Sequence, residues 1–186
     1  PAPVYDDRPV WVSALEADGH AMVSTALKDA GATIDDGDTP DPDSLILVTP
    51  IGDDATASAV DQGLDARRTV AVDTVIGFAR RRTLMTTPIT DPAYRDAAHG
   101  VLGGGEVKAT VVRDGPGFVA QRIVSTICNT GCAVAQMGIA SPKDIDKAVT
   151  LGLNFPYGPL TFGDRVGPDR ILRILEAIHG LTRDPR

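Results

Sequence analysis

The chain has 186 residues, 42% hydrophobic and 23% charged, with a formal charge of −7, the make-up of an ordinary globular protein. No apolar run reaches the 18 or so residues of a membrane span, and an acidic surface repels nucleic-acid phosphates, so neither partner is expected. No signal-peptide pattern opens the sequence, and residue 1 is Pro, as in a processed chain or a piece of a longer one. Cys128 and Cys132, four apart, form neither a CxxC pair nor a disulfide framework, so a reduced, cytoplasmic setting is expected, with both thiols as small buried side chains and no metal site.

The apolar pattern divides the chain. Val10 to Ser13 reads as a strand. Gly19 to Ala30 carries Met22, Val23, Ala26 and Leu27 on one helical face, with Gly31 as its stop. Ala32 to Ile34 reads as a second strand, and Asp35 to Asp43 as an acidic loop. Leu45 to Thr49 and Thr69 to Asp73 are continuous apolar strands, separated by a short helix from Asp53 to Gln62. Thr83 to Thr86 reads as a strand, Pro92 to Leu102 as a helix and Lys108 to Val112 as a last strand. Alternating strands and helices predict a parallel α/β sheet, and unbroken apolar strands predict helices on both faces. The expected fold class is therefore α/β followed by all-α, with an α/β domain over 1–113 and a helical domain over 114–186.

After Gly115-Pro116-Gly117 the strand signals vanish. A helix of about five turns is expected to run to Met137, with Val119, Ile123, Ile127 and Val134 as an apolar stripe and Gly131 letting another helix approach closely. Ser141, with Pro142 next and Asp144 three residues on, opens another helix, which Gly152 ends; Ile145, Ala148 and Val149 face inward on it. Pro159 starts a short segment ending at Gly167. Pro168 starts the last helix, with Ile171, Leu172, Leu175 and Ile178 as its apolar face and Gly180 as its stop. Charge is uneven too: residues 1–113 hold 10 Lys+Arg against 18 Asp+Glu, and residues 114–186 hold 8 against 7. Arg80-Arg81-Arg82 reads as a solvated loop or strand edge rather than an anion site.

Within 114–186, Asp114, Pro116, Gly117 and Phe118 are followed by Gln121-Arg122, Gly138-Ile139-Ala140, Asp144-Ile145-Asp146, and Pro156, Gly158, Pro159, Asp164 and Gly167. In order and spacing these resemble the C-terminal helical domain of 3-hydroxyacyl-CoA dehydrogenases, over about 70 residues. Thr87-Pro88-Ile89-Thr90 is similar to an element near the end of that family's Rossmann domain. The resemblance implies a degenerate Rossmann-like sheet before the helical domain, NAD as the family's cofactor and acyl-CoA as its substrate class. It also implies a dimer, or a pseudo-dimer with a complete module, built on the helices after Gly117. Gln121 stands at the position of the family's helical-domain Asn and is the one candidate catalytic residue.

The departures from that pattern shape the functional expectation. A dinucleotide fold needs a glycine-rich turn after its first strand. Ala14-Leu15-Glu16-Ala17-Asp18-Gly19 has one glycine and two carboxylates there, and negative side chains at that helix start repel a phosphate. Gly103-Gly104-Gly105 lies between a helix and a strand, the order of a turn rather than a phosphate loop. The family's His-Phe-x-Asn-Pro stretch is missing after Asp73-Thr74, and its Glu position holds Thr83. His20, His99 and His179 sit near helix ends without a visible oriented partner. No cofactor is expected to bind these residues. The chain reads as the degenerate second module of a tandem dehydrogenase; a free-standing dehydrogenase with a rearranged site and a pure interaction domain are the alternatives.

Overall fold

The computed structural model describes residues 2–183. Six strands form one sheet in the order β2-β1-β3-β4-β5-β6: β1 Val10–Val12, β2 Ile34–Asp35, β3 Leu45–Val48, β4 Thr69–Val72, β5 Arg82–Thr86 and β6 Ala109–Arg113. Strands β1 to β4 run parallel, with Trp11 opposite Ile46 and Leu47 opposite Val70. The expectation of a parallel sheet needs one correction. Strand β5 runs antiparallel to β4, and β6 follows β5 in parallel. Only nine residues, 73–81, join β4 to β5, fewer than the dozen or so that a parallel crossover needs, so the chain reverses.

Both faces of the sheet are covered, as the continuous apolar strands require. On one face Val10, Leu45, Leu47, Val70, Val72 and Leu84 pack against α1 (Ala17–Asp29) and α3 (Pro92–Gly103) through Val23, Leu27, Ala98 and Leu102. On the other, Ile46, Val48, Ala71 and Met85 meet Ala55 of α2 (Ala55–Asp61) and Phe118. Met22, placed on the inner face of α1 from its spacing, is instead partly exposed.

Four helices follow: α4 Ala120–Gln136, α5 Pro142–Leu153, α6 Pro159–Val166 and α7 Pro168–Thr182. Ser141 caps α5, its hydroxyl accepting from the Asp144 amide, as the Ser-Pro signature predicts. Two stops fall elsewhere than expected. Gly152 lies inside α5, which ends at the left-handed Asn154. Gly180 lies inside α7, which runs to Thr182. A lone glycine costs a helix only about 1 kcal/mol, and α5 continues one residue past it and α7 two.

The apolar stripe of α4 does not face the core. Its buried face is Gln121, Val124, Ser125, Cys128 and Gly131, and α7 packs there through Ile171 and Leu175. Val119 and Ile123 are 51% and 53% exposed, and Ile127 and Val134 line an apolar groove with Val149, Leu153 and Phe155 of the next segment. Cys132, expected to be buried, is exposed; Cys128 is buried, and burial pushes its thiol up to about 11. Ala148 is exposed and Leu172 is 55% exposed, while Ile174 is the fully buried residue of α7.

Candidate functional site

The carboxyl edge of the parallel strands is where a doubly wound sheet binds its ligand. Here that edge is made by Ser13, Thr49 and Asp73, with the start of α1 above it. Gly19, in the first turn of α1, is pressed against its neighbours: a Cβ there would stand 2.4 Å from Thr49 Oγ1 and 3.0 Å from Thr74 Oγ1. In front lies an open crevice of about 610 Å³, lined by Glu16, Asp18, Met22, Ile51, Thr74 and Arg170 among others.

The charges of this crevice are met from within the chain. Arg170 of α7 pairs with Asp18, and Arg173 pairs with Glu16 at 2.5 Å and approaches Asp53 at 3.9 Å. Burial pushes the Asp53 carboxyl up, against the opposing pull of Arg173. Glu16, the N-cap residue of α1, makes no side-chain cap bond. Asp35 ends β2, where dinucleotide folds place the carboxylate that holds a ribose. Its oxygens are spent locally, accepting from the Gly37 and Asp41 amides and the Ser44 hydroxyl. Burial raises the Asp35 carboxyl, but the Ser44, Asp41 and Gly37 bonds together hold it below the usual carboxylate range. The residues present do not fit a dinucleotide: the turn lacks its glycines, carboxylates stand at the phosphate position, and the β2 carboxylate is occupied.

Gln121 is fully buried at the joint between sheet and helices. The Gly52 amide donates to its Oε1 at 2.9 Å, and its Nε2 donates to Asp73 Oδ1 at 2.9 Å and Pro50 O at 3.4 Å. Asp73 is 1% exposed. Its Oδ1 also accepts from the Val75 and Ile76 amides, whereas Oδ2 has no partner, as is true of Thr49 Oγ1. Burial is the largest influence on Asp73 and raises its pKa, against the lowering by Gln121 and the two amides. A carboxyl raised in the folded state favours folding most below its ordinary value of 3.8, and that contribution is lost as pH rises through the folded value. Asp73→Asn should remove this dependence. Urea unfolding across the acid range is expected to show wild type losing stability relative to the variant as pH rises; a constant difference would refute the assignment.

The other sequence candidates do not converge on this site. His20 is half-buried, and its Nδ1 lies 3.2 Å from Val12 O. His99 lies on α3 against Gly103, and His179 near the exposed end of α7. Thr83 is a strand residue paired with Thr110, and its carbonyl accepts from the Asp73 amide. Arg122, beside Gln121, donates to Pro116 O. Of the basic cluster, Arg81 donates to Thr110 Oγ1 and Arg82 to Leu102 O, so these two are structural. No group of three or more His, Cys, Asp or Glu side chains that could hold a metal ion occurs among the described residues.

Several of the motif residues have structural work. Asp114 Oδ1 accepts from the Ala55 amide at 2.8 Å, and Oδ2 accepts from the Thr56 hydroxyl, which caps α2 from the far end of β6. Asp146 accepts from the Leu160 and Thr161 amides and the Thr161 hydroxyl, so α5 caps α6. Burial raises the Asp146 carboxyl, yet these bonds together lower it. Gly158 is obligatory there, since a Cβ would stand 2.3 Å from Asp146 Cα. The close approach expected at Gly131 is made by Pro159 of α6, at 2.7 Å from the position of a Cβ; it is internal to the chain and not a subunit crossing. Asp73 and the arginine pairs to Glu16 and Asp18 are site features that the sequence reading did not single out. The pairs span more than 150 residues, and no local pattern announces them.

A family profile described as "3-hydroxyacyl-CoA dehydrogenase, C-terminal domain" matches residues 117–186. A 3-hydroxyadipyl-CoA dehydrogenase of Escherichia coli K12 is 36% identical over 135 residues, which are 72% of this chain and 27% of that protein. A probable 3-hydroxybutyryl-CoA dehydrogenase of Bacillus subtilis is 39% identical over 78 residues, 42% of this chain and 27% of that protein. Among solved structures, a 3-hydroxybutyryl-CoA dehydrogenase from E. coli K12 is similar at 30% identity and a TM-score of 0.65, over 75% of this chain and 28% of that one. An (S)-3-hydroxybutyryl-CoA dehydrogenase from Ralstonia eutropha, at 23% identity and a TM-score of 0.69, covers 95% of this chain and 60% of its own and shares the fold. The matched region spans about a quarter of the length of these two curated relatives.

Proposed function

Because the chain belongs to the 3-hydroxyacyl-CoA dehydrogenase family, we propose that it is the non-catalytic second module of a tandem member, a degenerate α/β domain over 1–113 joined to a helical domain over 114–186. The observation that carries this reading is the state of the family's site positions. The Asn position holds Gln121, buried and engaged by Gly52, Pro50 and Asp73. The Glu position holds Thr83 in a paired strand, and the segment that should carry the His is a nine-residue reversal. A match of 135 residues to 27% of the E. coli relative makes that protein about 500 residues long, against about 290 for the B. subtilis one by the same ratio. The longer match to the longer relative supports a tandem origin.

In this reading the whole protein oxidises a 3-hydroxyacyl-CoA to the 3-oxoacyl-CoA, with NAD as hydride acceptor, in a complete module outside these residues. The present chain contributes packing surface, and Gln121 acts as a joint rather than as a catalytic group. The apolar groove of α4 and α5 is the surface for a second copy or for the complete module. We place the protein in the cytoplasm, with no membrane or nucleic-acid partner; among the described residues no helix is long and apolar enough to cross a membrane.

Two measurements test the proposal. Calorimetric titration of the 186-residue chain with NAD is expected to give no stoichiometric micromolar site, because the turn before α1 lacks the glycines that let a backbone reach the pyrophosphate and Arg170 and Arg173 are already paired with Asp18 and Glu16. Turnover of acetoacetyl-CoA with NADH is expected to stay at the no-enzyme rate. NADH consumption in proportion to chain concentration, abolished by Gln121→Ala, would overturn the non-catalytic reading.

A further inference from the structure

We propose that Cys128 and Cys132 form a two-thiolate site for a soft monovalent metal ion, Cu(I). The inference rests on the two sulfurs and the hollow they share, and not on the family reading. The cysteines stand four positions apart on α4, and both line a hollow of about 220 Å³ between α4, α6 and α7. Its walls are mostly apolar, with Leu160, Ile171, Leu172 and Leu175 among them. Gly163 of α6 faces the inner sulfur: a Cβ there would lie 3.8 Å from Cys128 Sγ, and glycine leaves that wall open. Both thiols are free, Cys128 being 2% exposed and Cys132 exposed. The pair thus joins a dry inner ligand to an outer one that an incoming ion meets first.

The spacing decides what the pair can hold. Residues i and i+4 of a helix keep their Cβ atoms about 5–6 Å apart, whereas a disulfide needs about 3.5–4.5 Å. An S–S bond would have to bend α4, while an ion placed between the sulfurs fills the gap. The thiols also sense each other: burial first, then Cys132 and Asp146, push Cys128 up to about 11. A metal ion relieves that repulsion, since the two thiol protons leave and one positive charge stands between two thiolates. Thiolates select soft ions such as Cu(I) and zinc. Zinc takes four ligands, and no group of three or more His, Cys, Asp or Glu that could hold a metal occurs among the described residues. Asp164, the one charged residue of the lining, offers oxygen, which suits hard ions instead. Cu(I) is satisfied by two sulfurs, and apolar walls keep water from competing with them.

The test is a competition under reducing, oxygen-free conditions, in which the 186-residue chain is titrated into the coloured Cu(I) complex of bicinchoninate. The chain is expected to withdraw one Cu(I) per molecule. Cys132→Ser, at an exposed position, and Cys128→Ser are each expected to bind at least about a hundredfold more weakly, because the second bond of a chelate is intramolecular. Zn(II) bound to a zinc indicator is expected to stay with the indicator. Colour unchanged by the wild-type chain overturns the proposal, as does undiminished binding by Cys132→Ser. One Cu(I) per two chains would place the ion between molecules and defeat the site within α4. Zinc held as tightly as copper would defeat the two-ligand assignment.

Discussion

Gln121→Leu is expected to lower the unfolding free energy by about 3 kcal/mol, a large part of the roughly 5–15 kcal/mol that a domain has. Leucine nearly conserves volume, so little of the loss comes from a cavity. It comes from the partners left behind. The Gly52 amide loses its acceptor, and Asp73 Oδ1 loses its one side-chain donor, while Asp73 Oδ2 already lacks a partner. A buried orphan donor costs about 1–3 kcal/mol and a charged group more. Gln121→Asn, the residue typical of the family, should recover only part, because it is one methylene too short to reach Gly52 and Asp73 together. Urea unfolding of the single variants and of Gln121→Leu with Asp73→Asn measures the coupling. A loss below about 1 kcal/mol, or no coupling to Asp73, would show that this side chain is not the joint between sheet and helices.

Ile127→Asp is expected to weaken self-association by about two orders of magnitude, the effect of roughly 3 kcal/mol for an unpaired charge buried at a contact. Ile127 lines the apolar groove of α4 and α5 with Val134, Val149, Leu153 and Phe155, and Ile123 beside it is exposed in the single chain. The last helix leaves this stripe uncovered, since α7 packs on the Val124–Cys128 face of α4. Residues 114–186 are near charge balance, so two such faces meet without strong repulsion. Sedimentation should find the variant folded and monomeric where wild type is associated. Wild type already monomeric at tens of micromolar would defeat self-association for this chain.

Much of the fold was legible because local chemistry and burial agreed. Leu45–Val48 and Thr69–Val72 are apolar at every position or nearly so, and both strands are buried on both faces. The Ser141-Pro142 and Pro168 helix starts fall where turn chemistry puts them. The reversal at β5 is also written in the chain, since the nine residues 73–81 are fewer than a parallel crossover needs. The inward face of α4 is not legible in the sequence, because Val119, Ile123, Ile127 and Val134 fit a helical stripe as well as the true inward set does. That set contains Gln121 and Ser125, polar residues that no hydrophobic pattern selects.

By itself, the sequence determined an α/β sheet followed by helices, the family resemblance, and the absence of a glycine turn and catalytic histidine at the expected places. These are properties of residue type and spacing along the chain, and periodicity and turn chemistry read them directly. Only the tertiary structure decided what occupies those places. Gln121 meets Asp73 across 48 positions, and Arg170 and Arg173 of the last helix meet Asp18 and Glu16 of the first across 152 and 157. Such pairs depend on how the helical half docks on the edge of the sheet. That docking is set by burial summed over many side chains, and no short stretch of sequence encodes it.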